Sequence, residues 1–159
     1  MTQLDPRSAR TGHRLLIGVG NPHRGDDGAG RAVARLLADR AVPGLVVRES
    51  SGEATSLMEA WAGFDDVILV DACRGARPSG SVHAFEADEA DRIASLRHAS
   101  SHSLGVAAAI GLARALGTLP ARLVVYGVEV RDTAEGDFLS PEVDAAVRRL
   151  ADRLSVGSR

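Results

Sequence analysis

Four residues carry the chemistry for which this sequence can be read: Asp26, Asp27, Asp71 and His102. Asp26 and Asp27 follow a glycine-rich stretch, LLIGVGNPHRGDDGAG, over residues 15–30. Asp71 closes the apolar run VILVD, and His102 stands between serines in SSHSLG, residues 100–105. Carboxylates and an imidazole together make a hard-to-borderline donor set for a divalent ion. Three protein ligands leave coordination positions open, which marks a catalytic or substrate-reading site rather than a structural one.

Each residue also has a plainer reading. Two aspartates at a helix start cap free N–H groups and oppose the helix dipole. An aspartate ending a strand satisfies a neighbouring turn. A histidine flanked by serines at a helix start reads equally as a capped surface residue. Cys73 reads as a small packed residue, with a thiolate paired to His102 as the chemical alternative. His23 lies in the first loop within reach of the same region, His83 alternates within a strand, and His13 and His98 have weaker claims.

Other chemistries are excluded. Gly18-Val-Gly20 lacks the third glycine of a dinucleotide fingerprint, and the turn has no Walker lysine. Two carboxylates at a helix start repel a phosphate unless a cation intervenes. The chain contains no lysine, which removes Schiff-base chemistry and lysine general bases.

The elements must bring these residues together. Leu15–Val19 reads as a buried strand, with a helix following to Arg40. Leu45–Val47 is a second strand, and Glu53–Ala62 a helix with Leu57, Met58 and Trp61 inward. Val67–Ala72 is nearly all β-branched or leucine, as a central parallel strand should be. Ser81–Glu86 follows too closely for a helical crossover and is expected to run antiparallel. A short helix is expected over Glu89–Leu96, and a largely buried one over Leu104–Leu116. Leu123–Val130 is the fifth strand; Ser140-Pro141-Glu142 opens a last helix, with Val143, Val147, Leu150 and Leu154 on its inner face.

This alternation predicts an α/β three-layer sandwich: a mostly parallel five-stranded sheet with one antiparallel strand and helices on both faces. In such sheets ligands bind beyond the carboxyl ends of the strands. If the first and third strands are neighbours, Asp27 and Asp71 converge there, and His102 joins them if its helix begins on the same edge.

A chain of 159 residues supports one domain, expected over 13–156 with a lead-in at 1–12 and a tail at 157–159. A net charge of −2 leaves no electrostatic footprint for nucleic acid. No apolar run approaches membrane-spanning length. A single cysteine excludes an internal disulfide and fits a reducing cytoplasm.

The segments GVGNPHRGDDGAG, VILVDACRGARPSG and SSHSLGVAAAIGLA, in this order and spacing, resemble the hydrogenase maturation proteases over about residues 14–130. The resemblance implies a twisted five-stranded sheet between helices. It implies metal-engaging residues at Asp27, Asp71 and His102, with Asp26 as the neighbouring acid. The implied activity is endoproteolytic removal of a C-terminal extension from the precursor of a nickel–iron hydrogenase large subunit. The nickel is supplied by that precursor, no organic cofactor is expected, and a cytoplasmic monomer is the expected form. Cys73, the loose match at SSGEATS and the missing proline in YGVEV depart from the family pattern. Two other readings remain open at this level: a metal-dependent hydrolase of a small substrate, and a maturation chaperone that docks without cutting. A dinucleotide-binding protein is weaker, its fingerprint being incomplete.

Overall fold

A computed structural model describes residues 12–89, 102–131 and 136–156, leaving aside the side chains of 102–104. Residues 1–11, the tail at 157–159 and all of the expected helix over 89–96 except Glu89 lie outside the described residues.

Five strands form one sheet: β1 (Arg14–Val19), β2 (Leu45–Ser50), β3 (Asp66–Cys73), β4 (Val82–Glu86) and β5 (Arg122–Glu129). Their order is β2-β1-β3-β5-β4. The pairs β1–β2, β1–β3 and β3–β5 are parallel, and β4 runs antiparallel to β5 at the edge. The fold class expected from the alternation of elements is therefore the one observed, including the adjacency of β1 and β3. The short β4 turns back because the loop from Arg74 to Ser81 holds too few residues for a helix to cross the sheet.

Four helices cover the sheet among the described residues: α1 (Ala29–Asp39), α2 (Ala54–Trp61), α3 (His102–Leu116) and α4 (Pro141–Val156). Strand alternation sorts the core into two layers. Val67 and Leu69 of β3 pack with Leu57 and Trp61 of α2 and with Val106, Ala109 and Ile110 of α3. Ile68, Val70 and Ala72 point the other way, toward Val33 and Leu37 of α1 and Val143, Val147, Leu150 and Leu154 of α4. The inner face expected for the last helix is the observed one.

Two expectations are corrected. The strand expected over Val67–Ala72 runs one residue further at each end, and it reaches Cys73 because β5 keeps pairing with it through Cys73–Glu129 after β1 has ended. And α3 is buried along one stripe only: Leu112 and Leu116 are 44% and 61% exposed. Its apolar count comes largely from alanine, and small side chains need no complete burial. Among its described side chains, Val106, Ala109, Ile110 and Ala113 are the ones buried in the sheet layer.

Candidate functional site

The chain leaving β1 is held close against the start of α1. Gly20 adopts φ +144°, and a Cβ there would run into the carbonyl of Asp27. The Gly20 N–H donates to the Ser50 carbonyl at the end of β2, while Arg31 Nε donates to the Gly20 carbonyl at 2.6 Å. Gly30 lies against the carbonyls of Val19 and Val70, so any side chain would push α1 off β1 and β3. Glycine is required here by close approach of backbones.

Within this turn the two aspartates have different partners. They sit in a 3-10 turn, Gly25–Gly28, ahead of α1, and the N-cap of α1 is Gly28, with no side-chain cap. Neither carboxylate therefore stands at the N-cap of α1. Asp26 accepts the Ser140 N–H at 2.6 Å on one oxygen and the Ser140 hydroxyl at 2.8 Å on the other. It ties the first loop to the start of α4. Asp27, 1% exposed, accepts the Asn21 N–H at 3.2 Å. The Gly25 N–H donates to the Gly136 carbonyl, a second strap to the loop beyond β5.

Asp71 is 4% exposed in β3, one residue past the point where Val70 pairs with Gly18 of β1. It shares the α2–α3 face with Val67 and Leu69 by strand alternation. The 3-10 turn bearing Asp27 packs against β3. Both acids therefore lie at the carboxyl rim of neighbouring central strands.

His102 opens α3, and its side chain lies outside the described residues. The helix start is nonetheless located. Gly105, one turn on, sits against the carbonyl of Gly52, just past the end of β2, with no room for a Cβ. The N-terminus of α3 is thus at the same rim as Asp27 and on the same face as Asp71. His23 lies in the same loop, with its side chain 80% exposed and paired with Asp137 at 3.0 Å. A depression of about 340 Å³, lined by Arg14, Pro43, Gly44, Asp65 and Asp66, lies at the opposite rim, where the strands begin.

Close to Asp71 is a polar group that sequence patterning missed. Glu129, 2% exposed, accepts the Gly75 N–H at 2.7 Å and lies 2.8 Å from His83 Nε2. Cys73 is directly across from it in register. Burial first, then the negative charges of Glu129 and Asp71, push the Cys73 thiol up to about 12. The thiol is thus protonated near neutral pH and packed, as a small core residue would be, and among the described residues the imidazole grouped with it is His83. The available signal was register: Cys73, Glu129 and His83 are alternation-matched on three strands, but strand order must be known to see it.

Comparison with known proteins agrees with this architecture. Residues 32–155 match the family model HycI, hydrogenase maturation protease, a span that includes Asp71 and His102 and begins after Asp27. The hydrogenase expression/formation protein HupD of Thiocapsa roseopersicina is 28% identical over 132 residues, 81% of this chain; the match spans 60% of that relative's length. The hydrogenase maturating endopeptidase HybD from E. coli superposes with a TM-score of 0.75 at 21% identity, over 89% of each chain. A hydrogenase 2 maturation peptidase from a Thaumarchaeota archaeon gives 0.65 at 28% identity, over 92% of this chain and 99% of that one. With more than half its length matched and the same sheet beneath it, the chain belongs to the hydrogenase maturation protease family.

Proposed function

We propose that this protein is an endopeptidase that removes a C-terminal extension from the nickel-loaded precursor of a nickel–iron hydrogenase large subunit. Asp27, Asp71 and His102 engage the nickel that the precursor carries. The observation that carries this reading is the burial of two carboxylates at the carboxyl rim of adjacent central strands, where α3 also begins. Buried carboxylates attract a cation strongly, because little solvent screens them. The metal is part of the substrate and acts as a Lewis acid on the scissile carbonyl or on an attacking water.

In this scheme Asp27 and Asp71 orient the precursor's metal from one side of the sheet rim. Asp26 acts at one remove: through Ser140 it fixes the turn that aims Asp27. Hydrolysis adds water across the peptide bond, so the new carboxylate remains on the large subunit and the amine leaves with the tail. The cytoplasm is the site of action, and a monomer suffices because all three residues come from one chain.

The test is incubation with nickel-loaded precursor followed by intact-mass measurement. The wild-type protein is expected to shorten the precursor by its tail, and Asp71→Ala or His102→Ala to abolish that loss of mass. Undiminished cleavage by either variant rejects the scheme, and an unchanged precursor with the wild-type protein turns the reading toward a docking chaperone.

A further inference from the structure

We propose that Cys73, His83 and Glu129 form a three-ligand site for a borderline divalent cation of the zinc class, beside Asp71 but with neither Asp27 nor Asp71 among its ligands. Each residue offers one donor atom, and the three atoms lie within 4.8 Å of one another. Cys73 and Glu129 are cross-strand partners between β3 and β5. His83 enters from β4, paired with Gly127, two residues before Glu129 and so on the same face. Gly127 keeps the space between them clear: a Cβ there would stand 2.9 Å from the Cys73 sulfur.

The donor set is selective. Thiolate, imidazole and carboxylate suit zinc, cobalt or nickel, whereas magnesium and calcium take oxygen ligands. The carboxylate is already oriented, because one Glu129 oxygen takes the Gly75 N–H and the other faces His83 Nε2. Such outer hydrogen bonds are what fix a ligand for its metal. Tetrahedral bonds of about 2.0–2.3 Å need donors under 4 Å apart, roughly, so small torsional changes close the site. On binding, the thiol proton leaves to solvent and a sulfur–metal bond forms. The hydrogen between His83 and Glu129 gives way to the ion, and in a neutral imidazole it moves to Nδ1. Access is from the side of β4, the edge strand, where the His83 side chain is 15% exposed. The bound ion cross-links β3, β4 and β5 near the rim and leaves a fourth position for water.

The site stands independently of the proteolytic reading and is tested without precursor. Full-length protein, stripped with a chelator, is titrated with Co2+ and then with Zn2+. The expected result is one equivalent of cobalt with a thiolate-to-cobalt charge-transfer band in the near ultraviolet, displaced by zinc. Because Cys73 is the single cysteine, the wild-type band alone reports it. His83→Gln and Glu129→Gln are expected to weaken cobalt binding by at least about 100-fold, beyond the usual outer-shell effect, while Asp71→Asn keeps the band. A wild-type protein that gives no band overturns the proposal, as does a band untouched by both the His83 and Glu129 variants. Loss of the band in Asp71→Asn alone would make Asp71, rather than His83 and Glu129, the partner of Cys73 around the ion and also overturn it.

Discussion

At the scale of single residues, adjacent aspartates divide the labour of one turn. Asp26 spends both oxygens on Ser140, whereas Asp27 accepts the Asn21 N–H of its own loop. Hydrogen bonds to a buried charge are worth about 1.5–3 kcal/mol each. Ser140→Ala removes the hydroxyl and keeps the backbone donor, so a destabilisation of about 1–3 kcal/mol is expected in denaturant unfolding. A change within error would mean that Asp26 does not depend on that hydroxyl. Glu53 gives a second, pH-dependent case. Hydrogen bonds from the Thr55 hydroxyl and then from the Ser56 and Thr55 N–H groups lower its carboxyl from 4.5 to about 2. A depressed carboxylate contributes most above its unfolded value, so the cap of α2 is complete above about pH 4.5 and is lost as pH falls toward 2. Following the Glu53 side-chain carbon by NMR should give a midpoint near 2; a midpoint near 4.5 would remove the cap.

Among elements, α3 decides whether an imidazole reaches the rim. Its two glycines permit a paired experiment. Gly105 lies against the Gly52 carbonyl, whereas an added Cβ at Gly111 meets nothing within 4 Å. Glycine in a helix interior costs about 1 kcal/mol relative to alanine. Gly111→Ala should therefore stabilise the protein by about that amount, without effect on the proposed precursor cleavage. Gly105→Ala should destabilise it and displace the first turn of α3, lowering cleavage along with stability. Equal thermal shifts for the two would show that the helix start is not clamped at Gly52. The strands and helices themselves were legible from period and punctuation, as in the β-branched run of β3 and the Ser140-Pro141 start of α4. The burial of α3 was misjudged because alanine counts as apolar while demanding little burial. The sequence left capping and a functional role open for the aspartate pair, because nothing local to the first loop reveals that Asp26 has a partner 114 residues away at Ser140.

For the molecule as a whole, the rim position of Asp27, Asp71 and the start of α3 was legible because strand adjacency and the carboxyl-edge rule suffice for it. The pairing of His83 with Glu129 was not, since it needs the order β3-β5-β4 and the register of an antiparallel edge. That same sheet makes stability indivisible. The two apolar layers lie on opposite faces of β1 and β3 and share no helix, yet neither can lose its packing while the strands between them persist. Leu69 belongs to one layer and Leu150 to the other. Truncating a buried leucine to alanine costs about 2–5 kcal/mol. At roughly 2–4 °C per kcal/mol for a chain of this size, each variant should melt about 4–20 °C earlier. The decisive feature is the shape of the transition. Both variants should keep one coincident unfolding step by far-ultraviolet circular dichroism and by Trp61 fluorescence, because Trp61 sits in the layer that Leu150 does not touch. If Leu150→Ala instead released α1 and α4 in an early step while Trp61 remained packed, the sheet would be a partition between two separately stable halves. The rim that joins Asp27 to Asp71 would then be a boundary able to open without global unfolding.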